Sequence, residues 1–440
     1  MHFKRQKIET ANLEQGMYVA QLDRPWLETP FLFHGFEIRG DDELKLLRKF
    51  CRHVYIDVTR SRLPQERILR VLRPRDDEAV VQRRPQADPF ATFAGRLVRA
   101  ASALDPSGIL AAYAGGRRSY RNQVPTAREA PEAIRAYDAA TTTMSEVLAE
   151  ARKGAALDAE RILAAVGPVV DSILRNQDAM AWCAYLRKRD ERAHRNPVAA
   201  SVWAVILGRH LGFDRRGLDT LGMGGMLLDI GRARLPGRFG GREEGLPEED
   251  IGILRKHVPL GLKMVRLVPG INADVLAMIG GHHERADGSG YPQGLQGADI
   301  PVFARIAGLV DSYDEMISQR SPVTAGSPYD AIRELNMLAG VKFQSELVEQ
   351  FVQAMGMFPT GSVVEMNTGE VGIVVEQNRV RRLRPKVLLV LGADRRPLGE
   401  YRIVDLCRLP GDQGARNARW IARGHDRGTF GLDPKNYFIG

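Results

Sequence analysis

Residues 282–292 read His-His-Glu-Arg-Ala-Asp-Gly-Ser-Gly-Tyr-Pro, and this stretch decides how the rest of the chain is interpreted. Two adjacent imidazoles are followed at once by a turn with two glycines and a proline. Histidine is the commonest metal ligand among side chains, and glycine lets a backbone approach another group closely. The stretch therefore predicts metal ligands beside a tight loop that faces a substrate.

The segments around this stretch carry the 3.6-residue spacing of amphipathic helices. From Pro131 to about Met357 this spacing is nearly continuous, which predicts an all-α domain. Further helices are expected at 178–189, 197–211, 215–229, 248–268, 272–282, 301–318 and 328–339. A bundle of this kind can bring side chains from several helices to one point.

Side chains that suit a metal ion fall on four successive predicted helices. They are Asp229, His257, the pair His282–His283, and Asp311. Taken alone, Asp229 is also typical of a solvated helix end, and His257 of a surface histidine. The adjacent histidine pair has no common packing role, so the set favours a metal site. Mixed nitrogen and oxygen donors suit iron, manganese or zinc without choosing among them.

Outside the helical region the composition changes, and the chain is predicted to be multidomain and mainly α. Residues 1–60 indicate a small α+β domain, 61–130 an Arg/Pro-rich linker, and 131–177 connecting helices. The helical domain occupies 178–358. Four short alternating segments in 359–410 predict a small antiparallel β appendix, and 411–440 is expected to be a tail.

Composition narrows the class of protein. The 440 residues are 44% hydrophobic and 27% charged, which is typical of a globular protein, and no apolar run approaches the about 18 residues of a membrane helix. Three distant cysteines and the lack of a signal peptide predict a cytoplasmic protein without a disulfide framework. The net charge of +9 fits either a solubilising surface or attraction to phosphate-bearing ligands. The arginine-rich segments lack interleaved aromatic residues, which argues against a nucleic-acid partner.

The helical region resembles the HD-GYP domain, a branch of the HD phosphohydrolases that hydrolyses cyclic di-GMP. The resemblance covers roughly residues 175–358 and rests on the metal-ligand positions above and on Gly290-Tyr291-Pro292. Residues 16–26 are similar to an accessory domain of unknown function found ahead of some HD-GYP domains. The resemblance implies a five-helix core with two, sometimes three, metal ions, with iron or manganese favoured, and hydrolysis of a phosphodiester between them.

The chain departs from this family at one of the two implied metal sites. Asn196 and Leu228 stand where the family has histidine ligands, and Arg232 stands where it usually has lysine. His194 is two residues from Asn196, about 200° around a helix, and should face away. The first site therefore keeps only Asp229 and Asp311. The second site keeps Asp229 and all three histidines, so one divalent transition metal at most is expected, and none is the alternative.

The remaining site residues are assigned by their chemistry. Asp229 and Arg232 are the candidate catalytic residues. Substrate contacts are expected from the loop and from two arginines that suit phosphate, although a surface ion pair explains each arginine equally well. These candidate substrate-binding residues are Arg285, Asp287, Gly290, Tyr291, Pro292 and Arg305.

Three functional hypotheses follow. The first is a cyclic di-GMP signalling protein whose HD-GYP domain is catalytically impaired and acts by binding nucleotide or a partner. The second is a weakly active metal-dependent cyclic di-GMP phosphodiesterase, and the third is a metal-free interaction scaffold. The family resemblance implies a diguanylate cyclase (GGDEF) domain as a protein partner. A homodimer is a further alternative, and no membrane contact is expected.

Overall fold

The computed structural model describes residues 6–23, 36–38, 40–56, 61–63, 118–187, 197–236, 247–318, 327–378, 384–407, 419–425, 428–432 and 434–437. The chain forms two compact units, Met1–Val98 and Arg99–Gly440. Most of the predicted linker 61–130 lies outside the described residues, and so do His194 and Asn196. In the described part of the chain, no helix combines the length and the apolar character needed to cross a membrane.

The first unit is the small α+β domain that the sequence predicts. Four strands form an antiparallel sheet in the order β1-β4-β2-β3, and one helix crosses it between β3 and β4. The apolar side chains of β2, β4 and α1 form one buried cluster, which includes Val19, Leu47 and Val54. The elements are β1 (Gln6–Glu9), β2 (Tyr18–Leu22), β3 (Phe36–Glu37), α1 (Asp41–Phe50) and β4 (His53–Ile56).

The second unit begins with a helical bundle, as predicted. Side-chain caps fix several helix starts: Asp158, Asp214, Asn272 and Ser327 each accept hydrogen bonds from backbone N–H groups of the first turn. The described helices are α2 (Thr126–Lys153), α3 (Ala159–Arg175), α4 (Gln177–Arg187), α5 (Pro197–Leu211), α6 (Arg215–Leu227), α7 (Glu248–Arg255), α8 (His257–Val265), α9 (Ala273–Gly281), α10 (Val302–Ser318), α11 (Pro328–Leu338) and α12 (Ser345–Met355).

One helix that the sequence predicts as continuous is two helices in the structure. The sequence predicts a single helix over 248–268, whereas α7 ends at Arg255 and α8 begins at His257. Pro259 explains the break, because proline has no N–H for the carbonyl four residues earlier and its ring clashes with that carbonyl. The break places His257 at the start of a helix.

The bundle is followed by an antiparallel sheet in the order β8-β7-β6-β5-β9. Its strands are β5 (Val363–Met366), β6 (Val371–Glu376), β7 (Lys386–Leu391), β8 (Pro397–Asp405) and β9 (Ile421–His425). The first four were predicted. The assignment of 411–440 to a tail is wrong for β9, which pairs with β5. The segment Ile-Ala-Arg-Gly-His has a single large apolar residue, so it lacks the alternation by which strands are recognised.

Candidate metal centre

Four of the predicted metal ligands meet at one point in the helical bundle. One ligand atom each from Asp229, His257, His282 and His283 lies within 4.8 Å of all the others. Each residue stands at the end of a helix. Asp229 lies between α6 and the 3-10 helix Ile230–Arg234, His257 opens α8, and the histidine pair directly follows α9. We call these four residues the four-donor cluster.

Close backbone contact holds two of these helix ends together. A Cβ on Gly231 would lie 1.9 Å from the carbonyl oxygen of His257 and 2.5 Å from the backbone nitrogen of Gly261. No side chain fits there, so only glycine lets the 3-10 helix after Asp229 pack directly on α8. The spacing of Asp229 from His257 thus depends on a residue that contributes no ligand atom.

Gly231→Ala is expected to destabilise the fold by about 1–3 kcal/mol or more, because the backbone must move to relieve the overlap. The free energy of unfolding in urea measures this effect. Gly252→Ala in α7 is the matched control, since a Cβ there meets nothing within 4 Å and alanine favours the helix. Equal stability of the two variants would contradict the close-contact argument.

The ring nitrogens of the histidines are arranged for ligation. Nδ1 of His257 donates to the carbonyl oxygen of Leu254 at 2.7 Å, and Nδ1 of His282 donates to that of Ile279 at 3.0 Å. A histidine that donates from Nδ1 while neutral leaves a lone pair on Nε2, which is the tautomer that second-shell carbonyls impose on metal ligands. Both Nε2 atoms point into the four-donor cluster.

The spacing of the donor atoms fits one ion. From Nε2 of His257 the distances are 3.4 Å to Nε2 of His282, 3.2 Å to Nε2 of His283 and 3.3 Å to Oδ1 of Asp229. A tetrahedral ion about 2.0–2.1 Å from its nitrogen ligands separates those ligands by about 3.3–3.4 Å. Three imidazole nitrogens and one carboxylate oxygen therefore suit a single divalent transition metal, without selecting among zinc, iron and manganese.

Burial keeps the central histidine neutral. His257 is fully buried, and desolvation lowers the pKa of its imidazole from 6.5 to about 4, against the raising effect of Asp229. At pH 7 the ring therefore carries no proton that a metal ion would have to displace.

Arg232 engages the carboxylate of the cluster. Its Nε donates to Oδ1 of Asp229 at 2.7 Å, the same oxygen that lies near His257, and both side chains are largely buried. Arg232 thus balances the single negative charge of the four donors. Its predicted catalytic role stays a prediction.

Of the other implied metal site, only Asp229 is among these four donors. Leu228, next to Asp229, has 2% of its surface exposed, and its aliphatic side chain offers no lone pair. Asp311 is buried in α10 and is not a member of the four-donor cluster. Its assignment as a metal ligand stays a prediction, and Asn196 lies outside the described residues.

Glu284, which the sequence did not single out, holds the loop after the histidine pair. Its buried carboxylate accepts hydrogen bonds from the backbone N–H groups of Gln293 at 2.7 Å and Leu295 at 2.9 Å. Gly290 fits closely against the same turn, because a Cβ there would lie 2.4 Å from the carbonyl oxygen of His283. A glutamate inside a predicted ligand motif resembles a ligand, so the sequence carries no signal for this structural role.

Glu284→Gln is expected to cost about 1–3 kcal/mol of folding free energy, because the amide oxygen replaces only one of the two carboxylate acceptors and leaves a partly buried N–H unpaired. Urea unfolding of the full chain measures the change. Glu334→Gln, on the exposed face of α11, should leave stability unaltered. If both variants unfold at the same urea concentration, the carboxylate does not hold the loop.

Tyr291 covers one histidine of the cluster. Its ring stacks on that of His283, with centroids 4.5 Å apart and planes at 20°, and the guanidinium carbon of Arg255 lies 4.6 Å from the centroid of the Tyr291 ring. Pro292 is exposed beside it.

Asp287 caps its own turn. Its carboxylate accepts hydrogen bonds from the hydroxyl and the backbone N–H of Ser289, which lower the pKa of the carboxyl group.

The two predicted phosphate-binding arginines bind backbone carbonyls. Arg285 donates from Nη1 to the carbonyl oxygens of His282 and Glu284, both at 2.9 Å. Arg305 donates to the carbonyl oxygens of Ile300 and Ala298 and to the side chain of Gln344. Their contact with phosphate stays a prediction.

Comparison with known proteins agrees with the geometry. The model of a domain of unknown function (DUF3391) matches residues 5–162, and that of an HD domain matches residues 183–347. The cyclic di-GMP phosphodiesterase PA4108 of Pseudomonas aeruginosa is 27% identical over 405 residues, which cover 91% of this chain and 89% of that protein. The match to the DUF3391 model extends past residue 60, where the sequence predicts the end of the N-terminal domain, and reaches into α3.

Shorter matches fall on the helical region. A cyclic di-GMP phosphodiesterase of Thermotoga maritima is 29% identical over 38% of this chain and 45% of that protein. The 3'3'-cGAMP-specific phosphodiesterase 2 of Vibrio cholerae is 29% identical over 38% of this chain and 32% of that protein. Less than half of each of these two relatives is therefore matched.

Among solved structures, Bd1817, an HDG"Y"P protein from Bdellovibrio bacteriovorus, aligns over 79% of this chain and 98% of that chain. The identity is 18% and the TM-score 0.43. The chain is an HD-domain protein of the HD-GYP type that carries a DUF3391 domain ahead of its HD domain.

Proposed function

We propose that this protein is a cyclic di-GMP signalling protein whose HD domain binds one divalent metal ion and the cyclic dinucleotide, and hydrolyses the dinucleotide slowly or not at all. One observation carries the proposal: an intact four-donor cluster lies directly beside the buried aliphatic Leu228. The name of PA4108, which matches nearly the whole chain, supports cyclic di-GMP as the ligand.

Charge supports dinucleotide binding. The four donors carry one negative charge, on Asp229, and Arg232 offsets it at 2.7 Å. A divalent ion bound there would polarise a phosphodiester and activate water, and its charge would remain available to attract the two phosphates of a cyclic dinucleotide.

Loss of the second ion argues against efficient hydrolysis. In a two-metal site the ions together stabilise the attacking and leaving oxygens. Without one of them, a loss of about 4 kcal/mol of transition-state stabilisation lowers the rate about a thousandfold. Leu228 supplies no ligand atom for a second ion, and Asp311 is not one of the four donors.

A weakly active phosphodiesterase is the second candidate. The four-donor cluster favours it, because one divalent ion held there would polarise a phosphodiester and activate water. The exposed Pro292 beside Tyr291 also leaves the Gly-Tyr-Pro turn accessible to a protein, and a diguanylate cyclase (GGDEF) domain is the partner we propose for it.

The test uses the full chain. Metal per chain is counted after purification, binding of cyclic di-GMP and 3'3'-cGAMP is measured by calorimetry with and without Mn²⁺, and turnover is assayed with Mn²⁺ or Fe²⁺ beside PA4108. We expect one ion per chain, metal-dependent binding of cyclic di-GMP, and turnover about a thousandfold below that of PA4108. Turnover equal to that of PA4108 would overturn the impairment. Lack of binding with metal present would overturn the nucleotide role.

A further inference from the structure

An arginine that the sequence did not single out lies beside the four-donor cluster. Arg255 is the last residue of α7 and stands two residues before His257. The carbonyl oxygen of the preceding residue, Leu254, accepts a hydrogen bond from Nδ1 of His257 at 2.7 Å, and both of these residues are fully buried. The backbone at Arg255 is therefore fixed with respect to a metal donor.

The ring of Tyr291 connects Arg255 to the cluster. It stacks on the ring of His283, with centroids 4.5 Å apart, and its centroid lies 6.5 Å from that of His257. The guanidinium carbon of Arg255 lies over the same Tyr291 ring, 4.6 Å from its centroid. The guanidinium and two donor rings thus surround one aromatic ring.

The contact with Tyr291 is compatible with binding of a phosphate by Arg255. A cation over an aromatic ring is attracted by the electrons of the ring. Arginine makes its hydrogen bonds through N–H groups in the guanidinium plane, in a fork that matches the geometry of phosphate. Arg255 is exposed, whereas Arg285 and Arg305 are half-buried and donate to backbone carbonyls. Of these three arginines, Arg255 is the most open to a ligand from solvent.

We infer that Arg255 binds a phosphate of the cyclic dinucleotide next to the metal ion, and that Tyr291 positions the guanidinium for this contact. The inference rests on the proposed function, because it places a phosphate-bearing ligand beside an ion in the four-donor cluster. A phosphate held by the ion has further oxygens, and a guanidinium beside the cluster supplies charge-assisted hydrogen bonds to them. Asp229 and Arg232 offset each other, so the ion and Arg255 together give the site the positive charge that attracts two phosphates.

Arg255→Gln is expected to weaken the binding of cyclic di-GMP about tenfold to a hundredfold in the presence of Mn²⁺, because charge-assisted hydrogen bonds to phosphate are lost. Calorimetry of the full chain measures the affinity. Arg266→Gln is the matched control, because Arg266 is also exposed, lies at the opposite end of α8, and loses the same charge. It should leave the affinity unchanged. Equal affinities of the two variants would overturn the contact.

The affinity for metal separates a phosphate contact from a structural role of Arg255. The side chain supplies no donor to the ion, so Arg255→Gln should not weaken the binding of Mn²⁺, which is measured in the absence of nucleotide. If the variant binds Mn²⁺ more weakly, and the affinity for cyclic di-GMP falls only in proportion, Arg255 supports the cluster and the inference is wrong.

A double-mutant cycle tests the role of Tyr291. Tyr291→Leu should weaken the binding of cyclic di-GMP in the wild-type chain. It should weaken binding little further once Arg255→Gln is present, because both changes remove the same contact. Additive losses would mean that Tyr291 acts on the ligand independently of Arg255, and its positioning role would then be excluded.

A ligand without bases separates this inference from the proposed function. Dimethyl phosphate is a single phosphodiester, and Mn²⁺ in the cluster broadens the phosphorus NMR signal of a phosphate bound next to it. We expect less broadening with Arg255→Gln than with the wild-type chain or Arg266→Gln. If this difference is found while the wild-type chain does not bind cyclic di-GMP, the proposed function fails and the phosphate contact stands. Equal broadening by all three chains would contradict the contact, whatever the result with cyclic di-GMP.

Discussion

Leu228→His combined with Asn196→His is expected to raise cyclic di-GMP turnover at least about a hundredfold over the wild-type chain. The two substitutions restore the histidines that the family resemblance implies for the missing metal site. Asp229, Asp311 and the two new histidines would then be available to hold a second ion, which would supply the transition-state stabilisation that one ion lacks. Turnover with Mn²⁺ or Fe²⁺ is the measurement, and metal per chain should rise from one to two.

The control for this variant keeps Leu228 apolar. Leu228→Met combined with Asn196→His preserves the volume at position 228 and supplies no second nitrogen ligand, so turnover should stay at the wild-type level. Leu228 is buried, so a histidine there without metal is expected to cost about 1–3 kcal/mol of stability. Unfolding is therefore compared with and without Mn²⁺. Two bound ions without any gain in turnover would show that another defect limits hydrolysis.

The sequence predicted the four residues of the cluster because two signals coincide: two histidines are adjacent, and the helical spacing ends at this pair. A ligand at a helix end can meet ligands from neighbouring helices. The sequence did not predict the break before His257, although Pro259 carried the signal for it. With that break His257 becomes a helix start, and its ring donates to Leu254 in the preceding helix.

The sequence could not predict which side chains contact backbone atoms. The predicted contact of Arg285 and Arg305 with phosphate stays a prediction, but the structure also shows both donating to carbonyl oxygens, which every residue possesses and no sequence pattern marks. The close fit of Gly231 against His257 likewise depends on where two backbones cross. β9 was missed because its pairing with β5 compensates for a segment with little apolar character of its own.

His282→Ala is expected to abolish the stabilisation that metal gives this protein. In the wild-type chain, Mn²⁺ at about a hundred times its dissociation constant should add about 2.7 kcal/mol to the free energy of unfolding. Removing one of four donors should weaken metal binding at least about a hundredfold, so the same Mn²⁺ concentration should then add little. Urea unfolding of both chains with and without Mn²⁺ measures the difference.

Comparing the stability loss with and without metal separates the loss of a metal ligand from the loss of packing. Without an ion, His282→Ala loses only the packing of the imidazole and its contacts with Ile279 and His257. The variant should therefore lose less stability without metal than with it. His210→Ala is the control, because His210 contacts Gln350 on α12 and is outside the cluster. It should keep the full response to Mn²⁺. An equal response in His282→Ala and the wild-type chain would mean that the ion binds elsewhere.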